Sequence, residues 1–362
     1  MNFQLEIREE FIEDILIDSF GDRYNEIYNN SHLIQYIDMK SKAIHGNVKT
    51  RRSLANLYAI YSIVYCYIED GFYKNQSYAN FDGFDYTRLL NICRSLYGGQ
   101  KLQNHALNSR VNGEYQTKFE TSDDLIYKNN GKYLIPIKFL YVNEHDISLV
   151  CKEIIEKYIQ LLREKDINLF KILNNLLVPN NTYQNKLGFL LSLLTADSEA
   201  RIFEILSYAI LKNHYKNCTV YFGYTPDTVC GYRLDLYKTG RTNANDGGID
   251  FVMRPIGRFF QVTEVGNYDK YLLDIDKVIH YPVTFVVKTM KYSSMIYSEF
   301  MEYISCKSGG MSVIENRYKQ AVEEIITINE LRYYLNNFSN NQIDDVVNDI
   351  TIYYKLELNI FE

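Results

Sequence analysis

The sequence predicts an α/β protein with a large, mainly helical N-terminal region over 1–190 and a mixed α/β region over 191–362. Two patterns carry this. Up to about residue 190 the apolar residues recur mostly at helical spacing. After it, the order becomes helix, three or four strands, helix, strand, helix, which is the order of an α/β layer protein. A third observation bounds the result. The 362 residues are 46% hydrophobic, enough for one large or two smaller cores, which argues against global disorder.

The N-terminal elements follow from local spacing. EEFIEDILIDSF (9–20) is amphipathic at helical period. Residues 52–70 form a long helix preceded by the basic run KTRR (49–52). Within it LANLYAIYSIVYCYI (54–68) is the longest apolar run; it is shorter than a membrane span, carries tyrosines, and reads as a buried helix. KYLIPIKFLYV (132–142) is extended. DISLVCKEIIEKYIQLLREK (146–165) is an amphipathic helix with Asp146 as its cap, continued by 167–181 and stopped at Pro179. NNTYQNK, near 180–190, reads as the linker.

The second region opens with a helix ending near Lys212, capped by Ser198 or Asp197. Strands are expected at 218–225 and 232–240, then a hairpin in GGIDFVMRPIGRFFQVTEV (247–265), a helix over 269–281, a strand over 282–289, and a helix over 313–338. In the hairpin, Gly247 and Gly248 let the chain turn between Asp246 and Asp250, and RPIG (254–257) has a favoured Pro and a closing Gly. Alternation sends Phe260, Val262 and Glu264 to one face and Phe259, Gln261, Thr263 and Val265 to the other. A purely packing hairpin has little use for Asp250, Gln261, Thr263 and Glu264. They either satisfy neighbouring backbone groups or hold a ligand such as magnesium, which takes oxygen donors and completes its shell with water and phosphate.

Composition removes several classes. The net charge of −6 argues against a protein that coats nucleic acid indiscriminately, so any DNA contact must come from local basic patches. The six cysteines form no CxxC pair and no zinc spacing with histidine. Four have apolar or aromatic neighbours in sequence and read as small core side chains, and a reducing, cytoplasmic compartment is expected. The opening MNFQLEIREEF carries acids where a signal peptide needs an apolar segment.

The hairpin and its flanks resemble the PD-(D/E)xK nuclease core, in which a helix, a strand, a hairpin and a helix present an acid and then an acid-x-lysine. Asp250 matches the first acid and Gln261 the second, as in QxK variants. Thr263 stands where the lysine belongs, a departure from the pattern, and Glu204 in ARIFEILSYAILK matches the extra acid on the preceding helix. Together with KTRRSLANLYAIY and GGQKLQNHALNSRVNGEY, the wording is similar to type II restriction endonucleases, in particular the HaeII-like branch. The resemblance implies a restriction-endonuclease-like core, a mixed β-sheet flanked by helices, which hydrolyses phosphodiester bonds at a short specific double-stranded DNA site with Mg²⁺. It implies Asp250, Glu204 and Gln261 as metal ligands, Glu264 if the strand bulges, and Lys288 as a source of the missing positive charge. On local grounds, Glu204 could equally pair with Arg201 one helical turn away, and Lys288 could be a solvated strand end.

Phosphate contacts need clustered cations, and base edges need amides and guanidiniums. Lys49, Arg51 and Arg52 form one candidate patch; Lys101, Gln103, Asn104, Asn108 and Arg110 form another; Arg254 and Arg258 add charge at the hairpin turn. The same residues read equally as solvated polar faces. Cutting a palindrome implies a symmetric homodimer, and a restriction system implies a cognate DNA methyltransferase that is not a stable subunit. No membrane partner is expected. Two alternatives stand beside this reading: a repair or Mrr-like nuclease without a fixed palindrome, and a non-catalytic DNA-binding module on a degenerate nuclease fold.

Overall fold

The computed structural model describes residues 11–41, 50–72, 82–100, 102, 107–178, 180–240, 249–264, 267–278 and 281–358. The chain divides into two compact units, Met1–Asn168 and Leu169–Glu362.

The first unit is mainly helical. Its helices include Phe11–Phe20, His32–Ser41, Thr50–Glu69, Tyr86–Ser95 and Ser109–Phe119. The run expected to be a buried helix is Thr50–Glu69, and Leu57, Tyr58, Ile60, Ile63 and Val64 along it are fully buried. Its tyrosines can sit in the core because their hydroxyls find acceptors; Tyr67 donates to Ile135 O at 2.9 Å and Tyr61 to the Glu156 carboxylate at 2.7 Å. The stretch expected to be extended is two short strands, Lys132–Leu134 and Tyr141–Val142, around the helical turn Ile137–Leu140. Asp146 does serve the next helix: its Oδ1 accepts from Ser148 N at 2.8 Å. That helix, Ser148–Leu176, runs on through the expected continuation and ends shortly before Pro179.

The boundary expected at 190/191 falls instead at 168/169. The expected linker contains a helix, α1 (Tyr183–Leu193), capped by Thr182, whose Leu187, Phe189 and Leu190 belong to the second core. Then come α2 (Ala200–Tyr215), β1 (Thr219–Phe222), β2 (Cys230–Arg233), β3 (Asp235–Lys238), β4 (Phe251–Arg254), β5 (Arg258–Glu264), α3 (Tyr268–Lys277) and β6 (Val283–Lys288). The chain ends with α4 (Ser293–Ser308), α5 (Ser312–Ala321), β7 (Val322–Thr327), α6 (Ile328–Asn336) and α7 (Asn340–Leu358). The cap of α2 is Glu199, whose side chain makes no capping bond, and not Ser198 or Asp197; Ser198 Oγ donates to Thr195 O instead.

Five strands make the central sheet, in the order β7-β6-β5-β4-β3. β3, β4 and β5 form an antiparallel meander, and β5, β6 and β7 run parallel. Side chains from the two faces go to two separate cores. Leu236, Phe251, Met253, Phe260, Val286 and Ile326 pack with Phe203, Leu206 and Ile210 of α2 and with α6 and α7. Phe285 and Val287 pack with Tyr271 and Ile275 of α3 and Ile296 and Phe300 of α4. The fold is therefore mixed α/β, with helices on both faces of one sheet.

The helix expected over 313–338 is interrupted by β7. Its run VEEIIT is β-branched, and Ile325 and Ile326 serve opposite faces of the sheet, which a strand permits. The following helix restarts on a capping box. Thr327 Oγ1 accepts from Asn329 N at 3.3 Å, and Glu330 Oε2 accepts from Thr327 N at 2.7 Å. Among the described residues no helix is long and apolar enough to cross a membrane.

Candidate functional site at one end of the sheet

The meander runs β3 forward, β4 back and β5 forward, and β6 follows β5 in parallel. The last residues of β3, β5 and β6 therefore lie at the same end of the sheet as the start of β4. Those positions are Lys238, Glu264, Lys288 and, one residue before β4, Asp250. Glu204, in the second turn of α2, joins them through Lys238.

Glu204 Oε1 accepts from Lys238 Nζ at 2.7 Å, and the two side chains are only 10% and 7% exposed. This pair replaces the expected ion pair with Arg201, whose guanidinium lies 3.9 Å from Glu199. Lys238 was not foreseen. The local signal was present: in DLYK, Leu236 faces α2, so Lys238, two residues on, faces it as well. What the run cannot show is that α2 offers an acid at that height.

Asp250 sits where the β4–β5 ladder stops. The paired register ends at Phe251 with Phe260, and the Asp250 carboxylate takes the place of the next acceptor: its Oδ2 accepts from Val262 N at 2.7 Å. Its own N–H donates to Phe260 O at 3.0 Å, and its carbonyl accepts from Thr239 N at 3.0 Å. Lys238 is paired across the sheet with Phe251, so Asp250 lies one residue along from the Glu204–Lys238 pair, beside Thr239, and alternation turns it to the opposite face.

Glu264 and Lys288 are directly opposed in the parallel register and form an ion pair of 2.8 Å. Lys288 also donates to Ser198 O at 3.0 Å, just ahead of α2. Its side chain is 5% exposed, so it is a buried cation and not a solvated strand end. Glu264 needs no bulge to face α2, because it alternates with Phe260 and Val262, both of which pack on that side.

Gln261 and Thr263 go the other way. Their register partners Phe285 and Val287 both belong to the core on the α3 side. The geometry thus separates Gln261 from Glu204, correcting the expectation that they share a metal, and it removes Thr263 from the charged group. Both are buried, and Gln261 Oε1 and Thr263 Oγ1 have no hydrogen-bond partner. Tyr271 Oη and Asp274 Oδ2 of α3 are buried and unpaired as well. Burial raises the Tyr271 phenol above its ordinary pKa, with the neighbouring Tyr268 and Asp274 adding to the shift.

The candidate DNA contacts are divided too. Arg258 is spent internally. Its Nε donates to Thr284 Oγ1 at 2.9 Å, its guanidinium pairs with Glu324 and lies 3.6 Å from Glu323, and it stacks 5.0 Å from the Phe260 ring centre. A side chain 14% exposed and bound on several sides ties β5 to β6 and β7, which corrects its placement at a phosphate. Arg254 stays exposed, 5.5 Å over the Tyr237 ring. Asn108 precedes the helix Ser109–Phe119 and Arg110 lies in its first turn, both half-buried. Lys49, Lys101, Gln103 and Asn104 lie outside the described residues, as do the side chains of Arg51 and Arg52. In the first unit, a cavity of about 280 Å³ is lined by Asp70, Asp82, Asp85 and Arg88. Asp70 is paired with Arg88, and Asp82 with Lys132.

Under the start of α2 the sheet end gathers two carboxylates, Glu204 and Glu264, and two ammonium groups, Lys238 and Lys288, while Asp250, next to Phe251 in β4, alternates to the opposite face. Such a group can bind a cation through its acids and an anion through its lysines. Comparison with family models, with curated proteins and with solved structures finds no match to this chain.

Proposed function

We propose that the chain is a magnesium-dependent deoxyribonuclease that hydrolyses phosphodiester bonds at a short specific site in double-stranded DNA. The observation that carries this reading is that Glu204, Lys238, Glu264 and Lys288 on one face, and Asp250 beside them in β4, all lie at the same end of a mixed sheet. The order α2, β3–β4–β5, α3, β6 agrees with the helix, meander, helix and strand of a restriction-endonuclease-like core, and Asp250 and Glu204 hold the positions that the resemblance assigns to acids.

The donor chemistry suits magnesium in kind, since carboxylate oxygens are its preferred protein ligands. Among the described residues, however, no three His, Cys, Asp or Glu side chains surround one point. Magnesium commonly takes only one or two carboxylates and fills its shell with water and phosphate, and Asp250 and Glu204 are the two we assign. When bound, the ion would polarise the phosphoryl oxygen and lower the pKa of an attacking water. The protein's own share is positioning. The Val262 amide orients Asp250, and Lys238 orients Glu204. The pattern's lysine is replaced by Thr263, and Lys238 and Lys288, on the face toward α2, are the cations we assign to stabilise developing negative charge in its stead. A homodimer and a partner methyltransferase belong to the same proposal.

One observation favours the non-catalytic alternative: Glu204, Asp250 and Glu264 each already hold a hydrogen-bond donor. Incubation with methylation-free phage DNA, with and without Mg²⁺ and with Asp250→Asn as control, separates the readings. Discrete fragments that need magnesium and vanish in the variant support the site-specific nuclease. A smear assigns a nuclease without a fixed site. Intact DNA across many phage genomes overturns catalysis.

A further inference from the structure

Away from the charged end of the sheet, β1 and β2 form a hairpin that belongs to no larger sheet. Seven of its eight strand residues are exposed; only Val220 is half-buried. Besides Thr219 and Arg233, the hairpin exposes large apolar and aromatic residues: Tyr224 is 94% exposed and Tyr221 78%, with Phe222, Val229 and Tyr232 near half. The Tyr221 ring lies across Gly231, where an added Cβ would come within 3.3 Å of it. The glycine lets the ring lie against the backbone while its outer side faces solvent. A lone two-stranded ribbon is marginal in water, and an unpaired edge is a template for another strand.

We propose that this arm is a self-association surface, and that its occupant is the same arm of a second copy of the chain. Three observations select that occupant. Residues 218–234 carry one acid, Asp227, and one base, Arg233. A nucleic-acid surface requires clustered cations, which the arm lacks. Two chains of net charge −6 repel each other, so a neutral, aromatic patch is where they can meet. The edge is also self-complementary. Leu234 N donates to Cys218 O at 3.0 Å, so by the two-residue period Val220 and Phe222 turn their backbone groups toward β2. The N–H and C=O groups of Thr219 and Tyr221 then line the outer edge. Antiparallel pairing about a two-fold axis sets Thr219 of one copy opposite Tyr221 of the other, and the same contact is made twice. The nuclease reading expects a homodimer without naming its surface; the inference goes beyond it by assigning that surface, and is argued from the arm's own residues.

The test is the molar mass of the full chain in solution across the micromolar range, by light scattering and sedimentation velocity. Two variants accompany the wild type. Tyr221→Pro removes an outward N–H without touching a bond inside the hairpin. Tyr224→Asp charges a fully accessible side chain that no core contains. The expected result is a dimer for the wild type, with each variant shifted to monomer while circular dichroism and Tm remain those of the wild type. A wild type that stays monomeric overturns the proposal, as does a dimer that survives both variants. A dimer unaffected by the variants, combined with weakened binding to duplex DNA, would also overturn it and would assign the arm to nucleic acid. None of these readouts uses cleavage, so a monomer overturns the arm and the homodimer expected with it, while phosphodiester hydrolysis stands or falls on the magnesium-dependent cleavage assay.

Discussion

The Glu204–Lys238 pair makes a sharp prediction because both side chains are nine-tenths buried and in direct contact at 2.7 Å. At an effective dielectric of about 20, two unit charges at that separation attract by roughly 6 kcal/mol, against which stands the cost of removing both from water. The pair's net value is therefore small, but loss of one member strands the other. Lys238→Met leaves a buried carboxylate without its cation, and Glu204→Gln leaves a buried ammonium with only an amide. Each single change should cost about 3 kcal/mol, which for a unit of this size lowers Tm by roughly 6–12 °C. The double variant should recover most of that loss, because neither charge remains. The assay is urea unfolding of the four proteins, followed by tryptophan-free tyrosine fluorescence and circular dichroism. If the single changes each cost under about 1 kcal/mol, or the double change costs the sum of the singles, the two groups are not coupled and the argument that Lys238 orients Glu204 is wrong.

Other predictions follow from single contacts. Asp250→Asn keeps an oxygen for the Val262 amide and should abolish magnesium-dependent cleavage with little change in Tm, whereas Asp250→Ala leaves that amide without its side-chain acceptor and should also cost about 1–3 kcal/mol; thermal melts alongside the cleavage assay separate the two effects. Burial pushes the Glu330 carboxyl up, but hydrogen bonds from the Thr327 hydroxyl and amide and from Ser293 outweigh it and hold the pKa below the ordinary value. A depressed folded-state pKa stabilises above the unfolded-state pKa and is lost as pH falls through the folded one. Glu330→Gln should thus cost about 1 kcal/mol at neutral pH and progressively less in acid, measured by urea midpoints at a series of pH values. Cys66, Cys93 and Cys151 are buried, and burial pushes the first two thiols up to about 11 and raises the third as well. A thiol reagent on the native protein should therefore modify Cys218, Cys230 and Cys306 quickly and the other three only on unfolding, with peptide mapping as the check.

Much of the site was legible because strand alternation is a local property. The residues of β5 could be sorted onto two faces from RFFQVTE alone, and the sorting agrees with the two cores that receive them. Which face carries the charge was not legible. It depends on α2 packing against the side of Phe260 and Val262, so that Glu264 and Lys288 join Glu204 while Gln261 and Thr263 turn toward α3. Four cysteines were expected in the core and three are there, since neighbours in sequence say little about which side of a strand or helix faces solvent. The helix in the expected linker was missed because KLGFLL is short and follows polar residues. β7 was missed because its β-branched run lies between two stretches of genuine helical period.

Period and turn chemistry depend on residues within a few positions of each other, and these determined the helices, the hairpin with its RPIG turn, and the alternation of its second strand. Register and strand order depend on contacts between distant parts of the chain, and these only the folded structure decided. Glu204 and Lys238 are 34 residues apart, Lys288 and Ser198 are 90 apart, and Arg258 and Glu324 are 66 apart. Each is a contact that no local pattern encodes, because the free energy that fixes it comes from burying two opposite faces of one sheet under different helices.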